Sequence, residues 1–159
     1  MTEIEVLERR FLMFGSVGPT QFDLYFPLGG IPVRVNPTFW LMAVLMGSGL
    51  LDAGRFDLLV VWILVLFFSI LIHELGHAVM ARYFGWPPRI FLYHFGGLAV
   101  YEPYRGHTRG RSIAVSLAGP VAGFLFFGVV WATDYLLAQQ RVRLPDQAYF
   151  AFLQLEWVN

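Results

Sequence analysis

His73-Glu74-Leu75-Gly76-His77 sets two imidazoles and a carboxylate within five residues, inside an apolar stretch running from Ile70 to Val79. On a helix, positions i and i+4 project from one face a turn apart, so both rings can close on one zinc ion at about 2.0–2.1 Å. Glu74, beside them, is placed to take a proton from water at such a metal. Polar groups in an apolar helix carry a desolvation penalty unless they are paired, metal-bound or facing water. Two other readings use the same residue types. The three groups could hydrogen-bond to neighbouring helices, or the histidines could bind haem, although i,i+4 rings cannot both serve one iron.

The surrounding chain must hold that motif at membrane depth. Of 159 residues, 57% are hydrophobic and 14% charged, which points to a membrane protein. The formal net charge is zero, so nothing suggests nucleic acid, and the absence of cysteine removes disulfides and thiolate metal sites. Thr2 to Arg10 runs acidic and then basic, without the order of a signal peptide, and reads as a short surface helix.

Local patterns divide the rest. Phe22–Phe26 and Ile31–Val35 flank Gly29-Gly30 as a hairpin, with Pro32 expected to confine its strand to a sheet edge. Asn36-Pro37 reads as a helix cap opening a first span over 37–51, short for a bilayer of about 30 Å. A second span over 58–84 carries the motif and ends at Gly85-Trp86-Pro87-Pro88. Residues 89–103 read as a re-entrant hairpin, tolerated at membrane depth where protein or a wet cavity covers it. A third span covers 112–138, with Gly119 and Gly123 spaced for close helix approach, and Ala148–Val158 begins a fourth. The expected fold is thus an all-α membrane protein of about three transmembrane helices plus the start of a fourth, with two short membrane-associated β-hairpins, all in one domain. Eight arginines against three place the N-terminus and residues 85–111 in the cytoplasm.

With these pieces placed, the chain resembles the site-2 protease family of intramembrane zinc metalloproteases. The resemblance rests on Gly30–Pro37, His73-Glu74-Leu75-Gly76-His77, His94-Phe95-Gly96-Gly97 and Ala118-Gly119-Pro120, in this order. It implies zinc held by His73 and His77, Glu74 as general base and then proton donor, and a membrane-protein substrate in the lipid bilayer. The hairpin around Phe95, Gly96 and Gly97 would bind that substrate as an unwound strand by edge pairing. The family's third ligand lies in an Asp-Gly motif that this sequence lacks, and its third-span asparagine is Gly123 here. Truncation before the aspartate span is the simpler explanation; His94 is the candidate third ligand within the chain, with Glu102 and His107 on the same side. Two rivals stay open: a non-catalytic homologue acting as a binding or assembly module, and a haem protein.

Overall fold

Two glycines in left-handed conformation, Gly29 and Gly30 (φ 56° and 78°), close the first hairpin, between β1 (Leu24–Leu28) and β2 (Ile31–Val35). In β2 the alternation is strict: Ile31, Val33 and Val35 are buried, while Pro32 is exposed and Arg34 half-buried. The computed structural model describes residues 20–102, 106–140 and 144–158. The surface helix expected within Thr2–Arg10 and the arginines at 105, 141 and 143 lie outside that range.

After β2 the chain forms α1 (Pro37–Met46), α2 (Ser48–Asp52) and α3 (Phe56–Tyr83). It returns as β3 (Pro88–Tyr93) and β4 (Gly96–Tyr101), and then forms α4 (Arg109–Gln139) and α5 (Asp146–Val158). The four strands make one sheet in the order β1-β2-β3-β4, antiparallel within each hairpin and parallel across β2–β3, where Val33 faces Ile90 and Val35 faces Leu92.

This mixed sheet overturns the all-α expectation with two separate hairpins. Each hairpin carries one apolar face, and both faces bury in a single core with Phe39 of α1 and Leu71 and Ala78 of α3. Side by side, the hairpins cover one helix and satisfy an edge of each other. Pro32 therefore does not stand at an edge. Its missing donor points toward β3, and the β2–β3 pairing begins one residue later, at Val33.

The expectation of about three transmembrane helices is also corrected. Among the described residues, two helices are long and apolar enough to cross a membrane, α3 with 28 residues and α4 with 31. The run 37–51 instead breaks at Gly47, whose N–H caps α1 on Ala43 O at 3.1 Å. Beside α3, of about 42 Å, ten residues of α1 reach only about 15 Å. The strand β2 shares a core with Leu71 and Ala78 in the second half of α3, while α1 packs through Ala43 on Leu59, Trp62 and Leu66 in the first half. Strand and short helix together line the long one.

Candidate active site

The second half of α3 faces α4 on one side and β4 on the other, and its three polar residues sit between them. His73 and His77 turn their rings toward each other, with Nε2 atoms 3.2 Å apart and ring planes at 76°. His77 Nδ1 lies 2.7 Å from the carbonyl oxygen of Val115 on α4. A carbonyl only accepts, so Nδ1 carries the proton, and in the neutral ring Nε2 bears the lone pair directed at His73. A separation of 3.2 Å is what two ligands at about 2.0–2.1 Å subtend at an angle near 100°. The nitrogen pair thus fits zinc, and Val115 supplies the kind of outer hydrogen bond that orients a ligating imidazole.

Close approach of α4 makes this possible. A Cβ on Gly76 would overlap the Ala118 carbonyl, and one on Gly119 would overlap the His77 ring at Nε2. Gly119 is thus the floor beneath the Nε2 that faces His73. The spacing of Gly119 and Gly123 points to helix packing, whereas the contact of Gly119 with the His77 ring and the Val115 carbonyl leave no mark in the sequence.

Glu74 is 7% exposed and packs against β4. A Cβ on Gly97 would overlap its side chain, lying 2.6 Å from Oε1, and the Ala99 N–H donates to its carboxylate. That donor is available because of register. Tyr93 and Gly96 close the turn, so pairs 93–96, 91–98 and 89–100 exchange the ladder bonds. The backbone groups of Gly97, Ala99 and Tyr101 therefore point to the free edge, and Glu74 stands at that edge.

The remaining sequence candidates divide. Gly97 is brought against Glu74. Phe95, 82% exposed, forms the turn tip with His94 and precedes Gly96 (φ 114°). His94 does not group with the histidine pair; its Nδ1 lies 3.3 Å from Thr38 Oγ1 at the start of α1. Among the described residues no cluster of three or more His, Cys, Asp or Glu is arranged to hold a metal.

The sequence model of peptidase family M50 matches residues 61–153, more than half of the chain. The chain is 37% identical over 92 residues to stage IV sporulation protein FB of Bacillus subtilis, covering 57% of this chain and 29% of that protein. It is 38% identical over 112 residues to a putative zinc metalloprotease of Synechocystis sp., covering 63% and 29%. To a zinc metalloprotease of Methanocaldococcus jannaschii it is 32% identical over 109 residues, covering 66% and 30%. The chain thus spans about three tenths of the length of these relatives. The fold is similar to the solved site-2 protease from Methanocaldococcus jannaschii, with a TM-score of 0.59 at 24% identity, over 86% of this chain and 62% of that one. The family match covers α4, most of α3 and the β3–β4 hairpin between them, the elements that carry the histidine pair, its glycine floor and the strand edge at Glu74; the chain belongs to peptidase family M50.

Proposed function

We propose that this chain forms the histidine half of a zinc-dependent intramembrane endopeptidase that cleaves transmembrane segments of membrane proteins near the cytosolic face. The observation that carries the reading is the Nε2 pair at 3.2 Å, with the Glu74 carboxylate beside it at the free edge of β4. Two Nε2 atoms this close cannot each carry a separate haem, which disfavours the haem alternative.

His73 and His77 would hold the zinc, with further coordination from outside the described residues. When bound, zinc supplies Lewis acidity, polarising the scissile carbonyl and lowering the pKa of water. Glu74 takes the proton of the attacking water on its carboxylate and delivers it to the departing amine. The outward backbone groups of Gly97 and the carbonyl of Ala99, whose N–H is held by Glu74, bind an unwound stretch of substrate as an added strand, with Phe95 and Gly96 at the approach. Unwinding is required, since a helical carbonyl is already hydrogen-bonded and shielded. In this reading α3 and α4 span the bilayer, and the N-terminus and residues 85–111 face the cytoplasm, following the arginine asymmetry.

The test is zinc content in the full-length protein purified in detergent, with His73→Ala and Glu74→Gln beside wild type. About one zinc per chain is expected in wild type. His73→Ala should lose it, and Glu74→Gln should keep it while cleaving nothing. Wild type without zinc, or Glu74→Gln with undiminished cleavage, refutes the assignment.

A further inference from the structure

A chain of hydrogen bonds that the zinc chemistry does not use ties the β3–β4 turn to the start of α1. Its root is Asp23. That carboxylate accepts from Arg34 Nε at 2.6 Å, the Thr20 hydroxyl at 2.7 Å, the Thr20 N–H at 3.0 Å, Asn36 Nδ2 at 3.0 Å and the Tyr25 hydroxyl at 3.3 Å. With so many donors it is ionised and accepts only, so Asn36 must present its amide nitrogen. Asn36 Oδ1 is left to accept the Thr38 N–H at 3.0 Å and the Thr38 hydroxyl at 2.7 Å. Thr38 has a single hydroxyl hydrogen, and Asn36 receives it. The oxygen can therefore only accept from His94 Nδ1, 3.3 Å away, which makes His94 the donor. The relay runs one way: His94 to Thr38 to Asn36 to Asp23. Asn36 also gives its backbone N–H to Leu92 O at 2.8 Å, holding β3 just before the turn.

We propose that this relay is a positioning device, with Thr38 and Asn36 fixing His94 and so the register of the β4 edge relative to Glu74. The need for it is local. The edge begins with Gly96 and Gly97, which stiffen a strand least, and the turn beyond is capped by the exposed Phe95. No metal ligand takes part in the relay. The role in substrate placement rests on the endopeptidase reading; the tether itself does not.

The experiment compares wild type, Thr38→Val, Thr38→Ser and His94→Ala in the zinc-loaded, full-length protein in detergent. Hydrogen exchange at residues 93–99 reads the tether directly. Losing one net hydrogen bond should speed exchange there about five-fold in Thr38→Val and His94→Ala, with Thr38→Ser near wild type and residues 73–83 unchanged. The cleavage probe is a single-span Leu/Ala peptide with a central Asn-Gly pair and a flanking donor and quencher. The two disruptive variants should raise KM several-fold at unchanged kcat and zinc content. Unchanged exchange in both variants, a loss confined to kcat, or failure of Thr38→Ser to restore overturns the proposal. If wild type cleaves nothing, the endopeptidase reading falls, and the exchange data alone decide the tether.

Discussion

Replacing Gly119 by alanine sets a methyl group where the His77 ring stands. The added Cβ would overlap Nε2 and Cε1 and lie 2.7 Å from Cδ2, whereas ordinary contact begins at 3.4 Å, so the ring must recede by more than about 0.7 Å. It cannot simply turn away, because Nδ1 is held to Val115 O on the same helix at 2.7 Å. Zinc–ligand distances hold to about 0.2 Å, so the displacement is several times the tolerance. Loss of an orienting partner alone typically costs 10–100-fold in metal affinity, and a displaced ligand belongs at or beyond the upper end, about 2.7 kcal/mol. Intrinsic helix propensity works the other way, favouring Ala over Gly by about 0.8–1.0 kcal/mol, so a loss cannot be blamed on the helix. The assay is competition for zinc against a chromophoric chelator in the full-length protein, with melting curves to follow the fold. Gly128→Ala is the control, since a Cβ there meets nothing within 4 Å. Gly119→Ala binding zinc within about threefold of wild type would refute the steric reasoning.

Gly97→Ala pushes on the carboxylate instead of the metal, because its Cβ would sit 2.6 Å from Glu74 Oε1. Zinc content should hold while cleavage falls about a hundred-fold, the scale of a misplaced general base, and wild-type turnover would contradict it. Burial alone would raise the Asp23 pKa, but the Thr20 hydroxyl and N–H and the Arg34 guanidinium outweigh it and hold the carboxyl below its ordinary 3.8. A depressed folded value means that ionised Asp23 stabilises the fold fully above about pH 4, and that this is lost as pH falls through the folded value. Melting temperatures measured from neutral pH down to pH 3 should therefore drop less steeply for Asp23→Asn than for wild type. Trp62→Phe removes the Nε1–H bond to Ala43 O, 3.0 Å long and buried, which joins α1 to α3. Because Ala43 O keeps the Gly47 N–H, the cost should stay near 1 kcal/mol, seen as a small fall in melting temperature with zinc unchanged.

What could be read from the sequence was whatever is encoded over short distances. The histidines four residues apart, the Gly29-Gly30 turn and the alternation Ile31-Pro32-Val33-Arg34-Val35 each follow from a repeat of a few residues. The β2–β3 pairing joins segments separated by three helices, and no local pattern specifies it. Residues 37–51 misled because uniform apolarity hides a break; Gly47-Ser48-Gly49 was the available sign. Pro32 points to an edge strand because it lacks a donor, but one missing donor only sets where pairing starts and leaves β2 inside the sheet. Residue type and side of the membrane make His94 a candidate ligand, whereas its place is decided by Thr38 and Asn36, more than fifty residues earlier in the chain.

The parallel seam between β2 and β3 carries a consequence for biogenesis. Val33 leaves the ribosome long before its partner Ile90, so the first hairpin must wait with its apolar face uncovered until α3 and β3 have been made. Parallel strands must also point the same way. The chain leaving β2 has to travel out and come back before β3 can lie alongside. A chain in which α3 inserts in the wrong orientation delivers β3 to the other side and cannot close the sheet. The strand edge beside Glu74 is then never built, so a mis-inserted chain lacks the surface on which other polypeptides would be gripped. Under the proposed function, correct insertion would in this way precede any cleavage, because strand direction ties the sheet to the orientation of α3.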